Sequence, residues 1–417
     1  MPEPLPASKS ESPPGFPPGF PPGLKPESLP AQIQGTPESC KTFIVTVAGY
    51  GSSGEGVARL DDGRVVFIRS AARGDVLEIR LSKAGTGTTR AGVTRAGIVR
   101  ILSPSPNRIA PVCKSYPICG GCDFLHITYE EELRAKLRRV NDALERIGGL
   151  DIKASEILRT GQIDGYRNKV VLHSDGISAG FYRSGSHEIV PVDHCMLLKE
   201  DLNEALKGLP PGHGATLRSG LNGINPPLEE KLDDLVFGIS GFFQINTGAA
   251  LLLYQKAREY ADIRKNERLV DLYCGVGALT LFVGRDAGYT LGIELDPASI
   301  KAARKNAHRN NLSHVEFLCA DASDWDPGGH IPQCLIVDPP RKGLSRGVLQ
   351  KILQLSPRRI VYVSCDPATL ARDLKALTGY EAREICAVDM FPRTANVECC
   401  CLLERKHQRF SDDAPTR

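Results

Sequence analysis

The sequence predicts a doubly wound α/β domain behind a small β-barrel and an α+β segment that bears a cysteine set. Three observations carry this prediction. From about residue 240, β-rich runs alternate with helical patterns: L-V-D-L-Y, Y-T-L-G-I-E-L, V-E-F-L-C, C-L-I-V-D and R-I-V-Y-V-S-C, with a last strand through 397–403. This is the rhythm of a parallel sheet covered on both faces. Between 43 and 102, five short β-rich runs are separated by glycine turns, with Asp62-Gly63 as a hairpin signal between the second and third. Between these regions stand Cys113, Cys119 and Cys122, with Cys195 further on.

Composition bounds the function. At 417 residues the chain holds about three domains. Hydrophobic content of 41% and charged content of 24% are those of a globular protein. The apolar runs fall far short of a membrane span, and the N-terminus lacks the basic-then-apolar pattern of a secretory signal. A cytoplasmic protein with no membrane partner is expected. The net charge of +3 says nothing about partners, but residues 59–108 hold ten Arg or Lys against four Asp or Glu. That excess suits an RNA-facing surface; a solvated face is the plain alternative. Thirteen cysteines without an export signal argue for metal or catalytic roles over a disulfide framework.

Residues 1–38 are proline-rich, with P-P-G-F-P-P-G-F-P-P-G-L at 13–24, and are expected to be disordered or extended. Residues 39–104 form the barrel, of oligonucleotide-binding type, with binding or scaffolding both open. Residues 105–238 form the central α+β domain. Its helix at 130–147 buries Leu133, Leu137, Val140, Leu144 and Ile147, with Arg134, Lys136, Arg138 and Arg139 on the remaining face and Gly148-Gly149 at its end. Tyr166, Arg167 and Lys169 in G-Y-R-N-K are candidate RNA contacts or structural residues. The C-x5-C-x2-C…C set of Cys113, Cys119, Cys122 and Cys195 suits zinc or an iron–sulfur cluster, and spacing alone does not choose. Residues 199–235 carry no interpretable motif.

Residues 239–407 hold the chemistry, followed by a short flexible tail at 408–417. The first α/β strand enters D-L-Y-C-G-V-G, where Gly275 and Gly277 let the backbone turn tightly beside a ligand. Glu294 ends the second strand, the usual grip on ribose hydroxyls. No third glycine serves a dinucleotide pyrophosphate, so S-adenosylmethionine suits the loop better than NAD. Asp321 follows the third strand and faces adenine or caps a helix. Asp338 opens D-P-P-R after the fourth strand, a loop with no aromatic platform for amine methylation. Cys365 sits where the fifth strand gives way to a helix capped by Asp366 and started by Pro367. A thiolate at a helix N-terminus has a lowered pKa, which marks Cys365 as a nucleophile; the alternative is an inert core cysteine.

The chain resembles the bacterial S-adenosylmethionine-dependent RNA (uracil-5-)-methyltransferases that carry an iron–sulfur cluster. The resemblance spans about 40–405 and rests on F-F-Q-I-N at 242–246, D-L-Y-C-G-V-G at 271–277, V-D-P-P-R at 337–341, V-S-C-D-P-A-T-L-A-R-D at 363–373 and D-M-F-P-R-T-A-N-V-E at 389–398. It implies a Rossmann-like methyltransferase domain behind a TRAM-type barrel and an iron–sulfur domain, acting as a monomer. It implies that Gln244, Tyr273, Glu294, Asp338 and Asp321 hold the cofactor, that Cys365 is the nucleophile, and that Glu398 removes the C5 proton. It implies a [4Fe-4S] cluster on the four cysteines. Ala278 departs from the family, many members having Asn there, so a cofactor contact is lost. The expected substrate is a uridine of 23S ribosomal RNA, with transfer RNA as the alternative. A different class is a zinc-stapled RNA-binding protein without catalysis. The chemistry explains the residue types: a thiolate adding at C6 makes C5 nucleophilic, and a carboxylate then takes the C5 proton before the thiolate leaves.

Overall fold

The structure, a computed structural model, describes residues 41–82, 94–210, 212–225 and 227–406. The expected tails at 1–38 and 408–417 lie outside the described residues, as do residues 83–93 of the barrel.

Six strands build the barrel: β1 (Thr42–Thr46), β2 (Gly49–Tyr50), β3 (Gly56–Arg59), β4 (Val65–Ile68), β5 (Val76–Leu81) and β6 (Thr94–Ser103), ordered β1-β5-β6-β4-β3-β2. Five match the predicted runs; the two-residue β2 is too short to leave a pattern. Asp62-Gly63 turns as predicted: Gly63 has φ 87°, and the Asp62 carboxylate accepts from Arg64 N at 3.0 Å. Beyond β1 the chain curls back, Ala48 N donating to Val57 O. Inside, Val45, Val47, Leu60, Val66, Ile68, Leu77 and Ile79 pack together, the inward half of a period-two pattern.

Helix α1 (Tyr129–Ala143) begins on Thr128, whose side chain accepts from Glu131 N. It ends in a π-helical turn over Leu144–Gly148, closed by Gly149 at φ 64°. Two expectations for this helix are corrected. The π turn rotates Ile147 off the buried face, leaving it 43% exposed. Lys136 is not on the solvated face but fully buried, because Glu132 and Asp389 enclose its ammonium. Although they precede 239 in sequence, α1 and β7 (Ile157–Leu158) belong to the layers of the large sheet: β7 pairs with its edge, and Val140 and Leu144 join its core. A second sheet follows, with β8 (Lys169–Ser174), β9 (Ala179–Tyr182), β10 (Ile189–Pro191), β11 (Ala215–Gly220) and β12 (Gly223–Ile224) in the order β10-β9-β8-β11-β12. Leu202 and Leu206 of α2 (Glu200–Lys207) cover it, and a hairpin of β13 (Glu229–Leu232) and β14 (Leu235–Gly238) follows.

The α/β region runs α3 (Thr247–Ala261), β15 (Arg268–Leu272), α4 (Ala278–Gly284), β16 (Tyr289–Glu294), α5 (Pro297–Arg309), β17 (Val315–Cys319), β18 (Cys334–Val337), α6 (Arg346–Leu355), β19 (Arg359–Ser364), α7 (Pro367–Ala376), β20 (Tyr380–Val388) and β21 (Glu398–Arg405). The sheet order is β17-β16-β15-β18-β19-β21-β20-β7. The first five strands are parallel, while β21 runs antiparallel between β19 and β20. Alternate residues feed two cores, Val361 and Val363 one face, Ile360 and Tyr362 the other. Cys399, Cys400 and Cys401 are fully buried sheet residues of the same alternation. The sequence reading lacks β20, because Glu381, Arg383 and Glu384 interrupt its apolar pattern and a bulge lies between Ala382 and Glu384.

Candidate active site

Strand order reverses between β15 and β18, and the crevice outside their carboxyl ends is where open α/β sheets bind ligands. Of the residues predicted to hold the cofactor, Tyr273, Glu294, Asp321 and Asp338 stand at or just beyond the carboxyl ends of the parallel strands β15 to β18. Gly275 (φ 55°) leaves the space around its missing Cβ open, whereas a Cβ on Gly277 would stand 2.9 Å from Phe317. The first glycine therefore gives a ligand room, and the second lets α4 seat against the sheet. Between them and β15, Tyr273 holds φ 68°, a strained conformation for a bulky side chain. The Glu294 carboxylate accepts from Gly275 N at 3.2 Å and from Asp296 N at 2.9 Å, so it is fixed beside the glycine loop. Asp321, just beyond the next strand end, is exposed and its Oδ1 is engaged by Ser323 N and Oγ in a turn; no helix follows it, so the expected helix cap is corrected.

Two carboxylates stand at these strand ends, Asp271 buried and Asp338 half-buried. Asp271 accepts from Thr280 Oγ1 at 2.6 Å through one oxygen, while its buried Oδ1 has no hydrogen-bond partner. Burial, reinforced by Asp338 and Glu294, pushes its carboxyl up to about 8. Desolvation also raises Asp338, to about 6. Gln244 is buried in the loop before α3; the same loop's Asn246 caps that helix and donates to Met390 O at 3.1 Å.

Cys365 and Glu398 come together because β21 runs antiparallel beside β19. The last register pair is Ser364 with Cys399, and the next position along holds Cys365 on one strand and Glu398 on the other. The turn at Cys365 is built as predicted: Asp366 Oδ1 accepts from Ala368 N at 2.8 Å and Thr369 N at 3.1 Å, with Pro367 in the first turn. Behind it, Asp373 Oδ2 accepts from Tyr362 Oη and from Leu344 N, both at 2.7 Å, tying α7 to β19 and to the D-P-P-R loop.

The expected low thiol pKa is corrected. Burial raises Cys365 to about 11, the carboxylates of Glu398, Asp338 and Asp366 adding to the effect and Arg341 opposing it. Asp366 already takes the helix N–H groups, so the positive end of α7 is neutralised by a carboxylate before it reaches the sulfur. Glu398 is likewise raised, to about 8, by burial first and Asp338 second, again against Arg341. Burial and the converging carboxylates thus push both side chains toward their protonated, neutral forms.

A tRNA (uracil-5-)-methyltransferase family model matches residues 330–406, a TRAM domain model residues 39–94, and a methyltransferase domain model residues 269–336. An uncharacterized RNA methyltransferase of Bacillus cereus is 31% identical, the match covering 84% of this chain and 94% of that protein. One from Caldanaerobacter subterraneus subsp. tengcongensis is 32% identical over 87% and 98%. The chain belongs to the RNA (uracil-5-)-methyltransferase family. The fold is similar to that of the crystal structure of Pyrococcus abyssi tRNA (uracil-54, C5)-methyltransferase in complex with S-adenosyl-L-homocysteine, with a TM-score of 0.68, 24% identity and coverage of 86% of this chain and 99% of that one.

In this RNA methyltransferase the four cysteines line one cavity of about 990 Å3 between the 113–122 loop and the β8–β10 sheet. Gly121 N donates to Cys119 Sγ at 3.4 Å, and burial raises the Cys195 thiol against the opposing N–H groups of Leu197 and Leu198. Mutual repulsion of Cys195, Cys119 and Cys113 adds to burial in raising the Cys122 thiol. Among the described residues no three His, Cys, Asp or Glu side chains form a group that could hold one metal ion. Arg167 and Lys169 line the same cavity. Tyr166 is buried, and its hydroxyl donates to Pro392 O at 2.9 Å, which makes it structural.

A second cleft, of about 380 Å3, lies between the barrel, α1 and the start of α7. Arg73, Arg134, Arg138, Arg139 and Arg146 line it, and it reaches Asp366, the residue after Cys365. Sequence reasoning also missed the polar residues that hold the 389–397 loop. Lys136 Nζ donates to Glu132 Oε1 at 2.7 Å, Asp389 Oδ1 at 2.6 Å and Phe391 O at 3.0 Å; Tyr129 Oη donates to Asp389 Oδ2 at 2.6 Å. The available signal was the i,i+4 spacing of Glu132 and Lys136. No helix among the described residues is long and apolar enough to cross a membrane.

Proposed function

We propose that this enzyme methylates C5 of a uridine in 23S ribosomal RNA from S-adenosylmethionine, through a covalent bond between Cys365 and C6. The observation that carries the reading is the pairing of Cys365 and Glu398 on adjacent antiparallel strand ends, beside a glycine-loop crevice. The same reaction on transfer RNA is the second reading, favoured by the family model that matches 330–406.

The crevice fits the cofactor. S-adenosylmethionine bears a sulfonium and an ammonium, and the buried Asp271 oxygen without a hydrogen-bond partner, with half-buried Asp338 as a second carboxyl, gives the crevice acidic groups whose ionisation a bound cation would favour. Glu294 is set to take ribose hydroxyls, Tyr273 and Gln244 to pack against the ligand, and Asp321 to reach its adenine edge. When bound, the cofactor supplies an electrophilic methyl group. The chain's residues do the rest. Cys365 gives its proton to solvent and Sγ bonds to C6, the displaced C5–C6 π pair making an enolate whose C5 bonds the methyl carbon as that carbon's bond to the cofactor sulfur breaks. Glu398 then takes the C5 proton, the C5–H electron pair restores the C5–C6 double bond, and the sulfur leaves with its bonding pair. Bringing cations to Asp338 and Glu398 lowers the repulsion that keeps Cys365 protonated.

Cys113, Cys119, Cys122 and Cys195 are proposed to hold a [4Fe-4S] cluster. The cavity they share and the N–H groups aimed at Cys119 and Cys195 fit anionic sulfurs of a body larger than one ion. The barrel at 39–104, the central region at 105–238 and the catalytic region at 239–407 together grip the RNA as a monomer, with the arginine cleft guiding the backbone toward Cys365 and the target base unstacked into the crevice. RNA containing 5-fluorouridine tests the mechanism, because fluorine at C5 cannot leave as a proton. Wild-type protein with cofactor should form a stable covalent complex and Cys365→Ala should form none. No complex with wild type, or an equal one with the variant, overturns the reading. Mapping 5-methyluridine in ribosomal and transfer RNA of cells lacking the protein decides the substrate.

A further inference from the structure

Glu398 enters β21 from the loop at 389–397, and that loop is held largely from outside its own sheet. Asp123 N and Phe124 N both donate to Arg393 O, at 2.9 and 3.1 Å. In return, Ala395 N donates to Asp123 Oδ2 at 2.9 Å. Arg393 sits at φ 70°, a conformation that side-chain-bearing residues rarely adopt and that persists only when its surroundings fix it. The barrel closes over the same contact: a Cβ added to Gly54 would stand 2.8 Å from Asp123 Cβ and 3.3 Å from Ala395 Cβ. Asp123 directly follows Cys122, so the loop that bears the cysteines and the loop that delivers Glu398 are one hydrogen-bonded unit.

We propose that Asp123 is a positioning residue for Glu398: its carboxylate, by accepting from Ala395 N three residues upstream, sets where the Glu398 carboxylate meets the C5 proton. This rests on the uracil-5 reading above. The step it serves is the last one, in which the C5 proton passes to a Glu398 oxygen, the C5–H pair becomes the double bond, and Cys365 Sγ leaves C6 with its pair. The earlier attack by Cys365 and the methyl transfer depend on β19, α7 and the glycine loop, none of which Asp123 bonds directly; the link between Ala395 and α7 is Arg139, which donates to Ala395 O at 2.8 Å and stands 3.7 Å from Asp366. A shifted Glu398 therefore leaves the covalent methylated RNA intact and slows its release. A displacement near 1 Å costs about a hundredfold in a positioned step.

The test uses the full-length protein, S-adenosylmethionine and two RNAs, one with uridine and one with 5-fluorouridine. Asp123→Ala should trap 5-fluorouridine RNA to the wild-type extent. On uridine RNA its turnover should fall about 10- to 100-fold, with a covalent methylated complex accumulating, as is also expected of Glu398→Gln. Asp123→Asn keeps an acceptor oxygen at the same reach and should recover most of the turnover. Two results overturn the proposal: wild-type turnover in Asp123→Ala, or parallel loss of trapping and turnover without accumulated complex, which marks general damage. Should Asp123→Ala not fold, Asp123→Asn and Asp123→Ser take its place, the longer-reaching amide expected to outperform the hydroxyl in turnover while both trap equally. If wild type itself fails to trap, the uracil-5 reading falls; if it traps and Asp123→Ala turns over normally, only the role of Asp123 falls.

Discussion

Replacing Lys136 by Met removes one ammonium and keeps the aliphatic stem. In the native protein that ammonium bonds Glu132, Asp389 and the Phe391 carbonyl, and the side chains of Lys136, Glu132 and Asp389 are all 0% exposed. Without it, Asp389 and the Phe391 carbonyl lose their only cation among the described residues, and Glu132 keeps only Arg393, whose Nη1 stands 3.8 Å away. Breaking a buried pair from one side costs about 3–5 kcal/mol, a large share of the roughly 5–15 kcal/mol that holds a domain together. The loss depends on pH. Burial already raises Glu132 to about 7, and Lys136 is the largest influence holding it down. Removing Lys136 raises it further, so folding takes up a proton that the unfolded chain, with an ordinary carboxyl near 4.5, does not hold. Stability is then retained at low pH and lost as pH rises through the folded value. Urea unfolding followed by Trp325 fluorescence at pH 5.5 and pH 8 measures this, the deficit against wild type widening at pH 8. Replacing all three, Lys136→Met with Glu132→Gln and Asp389→Asn, should recover much of the loss. A single variant within about 1 kcal/mol of wild type at pH 8 refutes the claim that this ion triad holds the 389–397 loop.

Other outcomes follow from the same site. Glu398 is raised to about 8, so the folded state binds a proton more tightly than the unfolded one, and stability falls as pH rises from about 4.5 toward 8. Glu398→Gln, inactive in release, should melt higher than wild type at pH 8.5 and nearly equal to it at pH 4.5; equal melting at both would contradict the burial argument. Because Cys365 at about 11 and Glu398 at about 8 must both deprotonate, kcat/KM should climb from pH 6.5 to 9, and a flat kcat/KM profile contradicts this. Removing Arg138 and Arg146, both exposed in the arginine cleft, should weaken RNA binding and shrink its salt dependence by about one phosphate contact each, read from affinity against salt concentration. Glu294→Ala should weaken S-adenosylmethionine binding by about tenfold or more in calorimetry, with the 5-fluorouridine adduct restored at saturating cofactor.

What the sequence made legible were the features with short-range signals. The strand–glycine–carboxylate series that ends in Gly275 and Glu294, the Asp366-Pro367 helix start and the Asp62-Gly63 hairpin each follow from a few adjacent residues, and each stands where it was expected. Long-range polar contacts were not legible. Lys136 meets Asp389 across more than two hundred residues, so helical spacing placed it on the wrong face. β20 was hidden by its charged residues, and with it the reason Glu398 begins a central strand instead of lying on an edge. The acidity of Cys365 was misjudged because the local rule for helix N-termini takes no account of Asp366 occupying the N–H groups, or of Glu398 and Asp338 converging from other strands.

The central claim is that Cys365 activates C5 and Glu398 releases its proton. RNA labelled with tritium at C5 of uridine, given S-adenosylmethionine with a carbon-labelled methyl group, tests both in one measurement of tritium released against methyl incorporated. Wild type should release one tritium for each methyl gained, Cys365→Ala should show neither, and Glu398→Gln should gain methyl in a covalent complex while keeping its tritium. Methyl gain without tritium loss in wild type, or tritium loss that persists in Cys365→Ala, would contradict the account.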